Sequence, residues 1–262
     1  MELFTFNTNI NIVIFFIFIY LLYINFKKID VNKDMLEIIF GAVIGYFIGG
    51  FMSGIVHWFM DSYDYEILKE RHSYFRNHHI KPTSILTTPN INLLTEISPI
   101  LIPFLLASYF SNNPLIIMSV SVGAIIGNTS QFFHKYSHLR NHENDTDARG
   151  KYLYDKVPLV LKKLQDGNII LNPKEHSIHH DKEIKNYCIA HSNSDRLFEY
   201  IFIELLNFRT TLFKNNNQRL KILDRKTREK YTKPTTISDV FAEQIPLIIL
   251  TILYLIFKFS NT

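Results

Sequence analysis

Residues 97–138 read "ISPILIPFLLASYFSNNPLIIMSVSVGAIIGNTSQFFHKYSH", and no Asp, Glu, Lys or Arg occurs before Lys135. A helix crosses a bilayer with about 20 apolar residues. The uncharged run 97–134 is therefore too long for one crossing and long enough for two. "SNNP" at 111–114 is a Pro/Asn turn signal that divides it. The division predicts two antiparallel helices, 97–110 and 114–134, the second leaving the apolar layer at His134 and His138.

The same pattern recurs upstream. Residues 3–26 and 38–60 carry no charge, and each exceeds the length of a crossing. A fifth run, "QIPLIILTILYLIF" from 244, is shorter and would span only with help from its flanks. The expected fold is all-α: a polytopic membrane bundle of about four to five spans with a histidine-rich cap. The first run has no basic n-region and no small-residue cleavage site after it, so it reads as an uncleaved span rather than a signal peptide. Of the 28 Lys and Arg, 24 fall in 61–96 and 135–242, which span counting puts on one face. The positive-inside rule makes that face cytosolic, although "KKIDVNK" at 27–33 argues mildly the other way. Basic residues are interspersed with acids in no dense patch, which argues against a nucleic-acid partner. "LFEYIFIELLNF" from 197 has helical apolar spacing and suits an amphipathic helix, either at the membrane interface or packed on the protein.

The histidines gather at that face. His134 and His138 are one helical turn apart and share a face. His176, His179 and His180 form HxxHH, whose i, i+3 and i+4 positions also converge. His78 and His79 are adjacent, a pattern that alone reads as exposed loop. His57 ends the second apolar run beside Trp58, where an ionisable residue is a functional candidate and a snorkelling aromatic-belt residue is the alternative. Together these eight imidazoles exceed what one tetrahedral zinc needs and suit two transition metals of coordination number five or six. The single cysteine, Cys188, excludes a disulfide framework and any cysteine-based cluster. A thiol-free, multi-metal site at a lipid boundary is placed to act on alkyl or acyl chains. Their C–H bonds offer a general base no acidity, so an oxidant is needed, and iron with O2 supplies one.

"SGIVHWFMDSY", "FRNHHIKPTSI", "GNTSQFFHKYSH", "LQDGNIILNPKEHSIHH" and "NYCI" occur in that order between about residues 45 and 200. This ordered set resembles the lipid desaturase family of plasmanylethanolamine desaturases, whose relatives include a bacterial carotenoid-regulatory desaturase and a plant plastid palmitate trans-desaturase. The resemblance implies a membrane enzyme with two iron ions, and His57, His78, His79, His134, His138, His176, His179 and His180 as their ligands on the cytosolic face. No catalytic group is implied beyond these. O2 would be co-substrate, cytochrome b5 or ferredoxin the electron donor, and a membrane phospholipid the substrate. In the ether-lipid branch the product is the vinyl ether of a plasmalogen. Asp61 matches the acid after "HW" and is expected to orient His57, and Asn128 and Gln131 are expected to support the site by hydrogen bonds. An endoplasmic reticulum membrane is expected if the source is eukaryotic.

The chain also departs from the family. The Arg-His-Asp-Phe run expected after "KPTSI" is absent, the first histidine of the family's HHxxHH is Glu175, and "AHSNSD" follows "NYCI". His72, His142 and His191 match no family position and read as surface residues, His191 being the one most open to another role. Three alternatives stay open: a trans-palmitate-type acyl desaturase, a sterol-type hydroxylase, whose boxes usually repeat HxxHH, and a non-catalytic metal-binding paralogue. The expected division is 1–34 for the first span and loop, 35–210 for the desaturase domain, and 211–262 for a polar segment and terminal apolar helix.

Overall fold

The computed structural model describes residues 8–62, 78–79, 85–86, 88, 90–141, 154–182 and 186–201. Among these, regular structure is helical throughout, with no strand. The helices are α1 (Thr8–Phe26), α2 (Met35–Ser62), α3 (Asn90–Thr95), α4 (Ser98–Tyr109), α5 (Pro114–Arg140), α6 (Leu159–Asp166) and α7 (Pro173–Lys182), followed by a 3-10 turn at Ser192–Ser194. Met35–Trp58 and Pro114–Arg140 are long and apolar enough to cross a membrane, whereas Ile12–Phe26 and Ser98–Tyr109 are shorter apolar helices. The "SNNP" break falls where the sequence puts it. Asn113 caps α5, its side-chain oxygen accepting the Leu115 N–H at 2.9 Å, and Pro114 opens the helix where its missing donor costs nothing. The run from 244 lies outside the described residues.

Contacts divide the chain into two interleaved units. The first comprises Met1–Gly50, Thr88–Phe132 and Gln244–Thr262. Its core gathers Phe18, Leu21 and Leu22 of α1 with Leu105 of α4 and Ala124 of α5. The fully buried Asn25 locks α1 to α4: its amide donates to the Leu21 and Leu105 carbonyls at 2.9 and 3.0 Å, and its oxygen accepts from Ser108. Where water is scarce, such a side chain must find all its partners in the protein.

The α2–α5 seam in this unit depends on glycine. Gly41, Gly45 and Gly49 repeat at the spacing that lets two helix backbones approach closely. A Cβ at Gly45 would lie 2.5 Å from the Ser119 carbonyl oxygen, and one at Gly49 would lie 2.7 Å from that of Gly123. Backbone oxygens in a helix cannot rotate aside, so a side chain here forces the helices apart. Gly45→Val is expected to destabilise the protein by at least the ~1–3 kcal/mol typical of overpacking. A thermal melt in detergent followed by circular dichroism should show a lowered midpoint, and an unchanged midpoint contradicts the packing.

The second unit comprises Phe51–Thr87 and Phe133–Glu243. Here Tyr187, Cys188 and Phe198 form a core against Phe51, Ile55 and Trp58 of α2. The last turn of α5 is tied to α6 by Arg140, which donates to the Lys162 carbonyl and the Asp166 carboxylate, both at 2.7 Å. The chain leaves α6 through Asn168 at φ 54, a left-handed conformation that Asn tolerates. It then enters α7 through an Asn-Pro start: the Asn172 side chain accepts the Lys174 N–H at 2.9 Å, and Pro173 takes the first helical position.

Candidate metal centre

All eight histidines singled out from the sequence lie in the second unit. Helix α5 presents His134 and His138 from one face, α7 presents His176, His179 and His180, and α2 contributes His57. His78 and His79 come from a short helical pair. His57, His78, His134, His138, His176 and His179 are buried, and His79 and His180 are half-buried.

The nitrogens converge. The Nε2 atoms of His134 and His138 are 3.1 Å apart, and those of His138 and His176 3.0 Å. His180 Nε2 closes a triangle with them, 3.2 Å from His138 and 3.0 Å from His176. An imidazole nitrogen either carries a proton or presents a lone pair, never both. Three nitrogens in mutual contact therefore include at least two in the same state, and at least one contact in the triangle cannot be a hydrogen bond. A cation receiving all the lone pairs removes the conflict. The spacing fits too: metal–imidazole bonds of about 2.0–2.1 Å put neighbouring nitrogens roughly 2.9 Å apart at right angles and roughly 3.4 Å apart at the tetrahedral angle. The observed 3.0–3.2 Å lies between these limits.

Two groups of donors adjoin. Ligand atoms of His78, His134, His138, His176 and His180 all lie within 4.8 Å of one another, as do those of His57, His78 and His79, so His78 belongs to both. His179 belongs to neither at that spacing, but its ring centroid is 4.6 Å from that of His57 and 4.9 Å from that of His79, beside the smaller group.

Burial pushes the imidazoles of His176 and His180 well below the ordinary histidine value, and repulsion from neighbouring rings, led by His138 for the first and His78 for the second, adds to it. Both stay neutral at physiological pH, the state in which imidazole can ligate a metal. Burial, and then Asp195, push the Cys188 thiol well above its ordinary value, so it offers no thiolate.

The ring orientation of His57 comes from the main chain. Its Nδ1 lies 3.1 Å from the Tyr187 carbonyl oxygen, which can only accept, so the proton sits on Nδ1 and the lone pair on Nε2. That carbonyl is held by a pinned segment. The Cys188 N–H donates to Asp195 at 2.9 Å, the Ala190 N–H to Ser53 at 3.2 Å, and the Leu171 N–H to the Ala190 carbonyl at 2.9 Å. Glu175 ties α7 to this segment: the Asn186 side-chain amide donates to its carbonyl and carboxylate at 2.9 and 3.2 Å.

The expected outer supports fare differently. The side chain of Asp61 lies outside the described residues. Asn128 engages its amide with Ser98 and the Leu94 carbonyl within the first unit, and Gln131 is buried there. His191 corrects the sequence reading: it is fully buried rather than on the surface, enclosed with the pinned segment it terminates. His72 and His142 lie outside the described residues. Tyr187 has no sequence signature for its role, because the group it uses is a backbone carbonyl.

Residues 46–206, which include all eight histidines, match the lipid desaturase domain family. Plasmanylethanolamine desaturase 1 of Mus musculus is 30% identical over 170 residues, covering 58% of this chain and 57% of the relative. Plasmanylethanolamine desaturase of Myxococcus xanthus is 30% identical over 162 residues, covering 57% and 51%. A chloroplastic fatty acid desaturase 4-like protein of Arabidopsis thaliana is 28% identical over 154 residues, covering 56% and 47%. The chain thus spans about half the length of the curated relatives it matches. No solved structure matches it.

Proposed function

Because this chain belongs to the lipid desaturase domain family, we propose that it is a membrane lipid desaturase working through two iron ions held by His57, His78, His79, His134, His138, His176, His179 and His180. The observation that carries this reading is the pair of adjoining histidine groups that share His78. Eight neutral donors with one residue common to both groups suit two neighbouring ions better than one. Among the described residues the clustered donors are all nitrogen, which imidazole-binding iron accepts.

Bound iron supplies, with O2, the oxidising power that an unactivated C–H bond requires. The balance is simple: two hydrogens leave the lipid chain as the double bond forms, and with two further electrons and two protons they reduce O2 to two waters. The electrons come from a small carrier of the cytochrome b5 or ferredoxin kind. The chain's own residues set the conditions. Tyr187 holds His57 Nε2 in one direction, and Asn186 with Glu175 steadies the helix carrying three further imidazoles. Burial of six of the eight rings limits water at the centre and keeps their lone pairs available. Asp61 is proposed as an additional support for His57. The desaturase domain is proposed to occupy 35–210, with α1, α2, α4 and α5 as spans and the run from 244 as a fifth only with help from its flanks. The histidines then face the cytosol, from the endoplasmic reticulum membrane if the source is eukaryotic.

The substrate proposed is plasmanylethanolamine and the product the vinyl ether of a plasmalogen, as the names of the mouse and Myxococcus relatives suggest. A second reading, an acyl-chain desaturase, is favoured by the Arabidopsis relative. Expression in a plasmalogen-deficient cell followed by lipid mass spectrometry decides between them. Vinyl ether phospholipids are the expected result. Trans-unsaturated palmitate transfers the assignment to the acyl reading, and no new double bond in a metal-loaded protein favours the non-catalytic one.

A further inference from the structure

Beyond residue 140, the exposed large apolar side chains among the described residues are Leu159, Val160 and Ile169, which are 68%, 61% and 51% exposed. All three fall on or just after α6. The opposite side of that helix is turned inward, with Leu161 and Gln165 buried. The apolar edge is therefore not a misplaced core face. The other large apolar side chains among the described residues beyond 140 are buried or half-buried, with Ile170 and Leu171 immediately after Ile169 both buried. Exposed apolar residues concentrated on one short helix mark a surface that something covers.

Two observations identify the cover. The first is position: Arg140 is the last residue of α5, a helix long and apolar enough to cross a membrane, and its guanidinium grips the Lys162 carbonyl and the Asp166 carboxylate. Helix α6 is thus fastened where that candidate span ends. The second is charge: Lys156 and Lys163 flank the apolar edge and are exposed, as is Asp155, while Asp166 is paired with Arg140 and Lys162 is turned onto the Tyr154 ring, 3.4 Å from its centroid. An apolar edge flanked by lysines at the end of a span has the composition of a helix lying in the headgroup layer.

We propose that α6 is an interfacial anchor, with Leu159, Val160 and Ile169 immersed in the phospholipid leaflet and Lys156 and Lys163 at the lipid phosphates. Eight residues separate Asp166 from Glu175, and His176 follows directly on α7, so the anchor fixes the depth from which the metal centre meets a lipid chain. This inference rests on the membrane reading above, and the test separates the two. Val160→Cys and Ile169→Cys are made singly in the full chain, whose own Cys188 is buried, labelled with a nitroxide and placed in phospholipid nanodiscs. Ile48→Cys on α2, within a candidate span and 49% exposed, serves as reference. Electron paramagnetic resonance saturation compares access of O2, which partitions into lipid, with that of a water-soluble nickel chelate. The expected result is greater access for O2 than for nickel at 160 and 169, as at 48. Nickel access dominating at 160 and 169 but not at 48 overturns the anchor and leaves the membrane reading standing. Nickel access dominating at all three overturns both.

Discussion

His138→Ala is expected to abolish desaturation while the protein still inserts into the membrane. His138 is the hub of the nitrogen cluster, with its Nε2 3.1 Å from that of His134, 3.0 Å from that of His176 and 3.2 Å from that of His180. Removing a residue that merely orients a ligand costs roughly 10–100-fold in metal affinity or activity. Removing a donor at the centre of five should cost more than that. A readout besides activity is available, because an ion that binds only the folded state raises its melting temperature. Iron should raise the melting temperature of the wild-type chain and raise that of the variant clearly less, because only the smaller group is left intact. A variant that keeps both activity and the iron-induced shift removes His138 from the centre.

His179→Ala is the sharper probe of two ions against one. His179 stands outside both close groups, yet its ring lies beside His57 and His79. If it serves the smaller group, its loss empties that position and spares the five-histidine group. The expected variant keeps about half of the wild-type iron and loses nearly all desaturation, because the reaction needs both ions. Metal analysis and lipid turnover on the same preparation check this. Full iron with most activity retained makes His179 a packing residue.

Much of the site was legible because helices carried it. HxxxH and HxxHH announce their convergence through the turn of the helix, and Arg140 to His134 and Pro173 to His180 fold as that period requires. The adjacent pair was harder. Neighbours on a helix diverge by about 100°, so a search for shared faces discards His78 and His79, whereas His78 is common to both donor groups. The partner of His57 was illegible for a different reason: a carbonyl is the same at every residue, and only tertiary structure decides that Tyr187 offers it. His191 was misread because a histidine outside any cluster resembles surface, and its burial follows from the pinned segment around it. The glycine repeat at 41, 45 and 49 is plain in the letters, but an uncharged run states only the length of a helix, and its close approach to α5 is a property of the packed pair.

Metal analysis of the full chain, purified in mild detergent and loaded anaerobically with ferrous iron, bears most directly on the account. Two irons per chain, with an X-ray absorption spectrum dominated by nitrogen neighbours, is the predicted result. A single bound ion, or a preference for one zinc over iron at saturation, contradicts it.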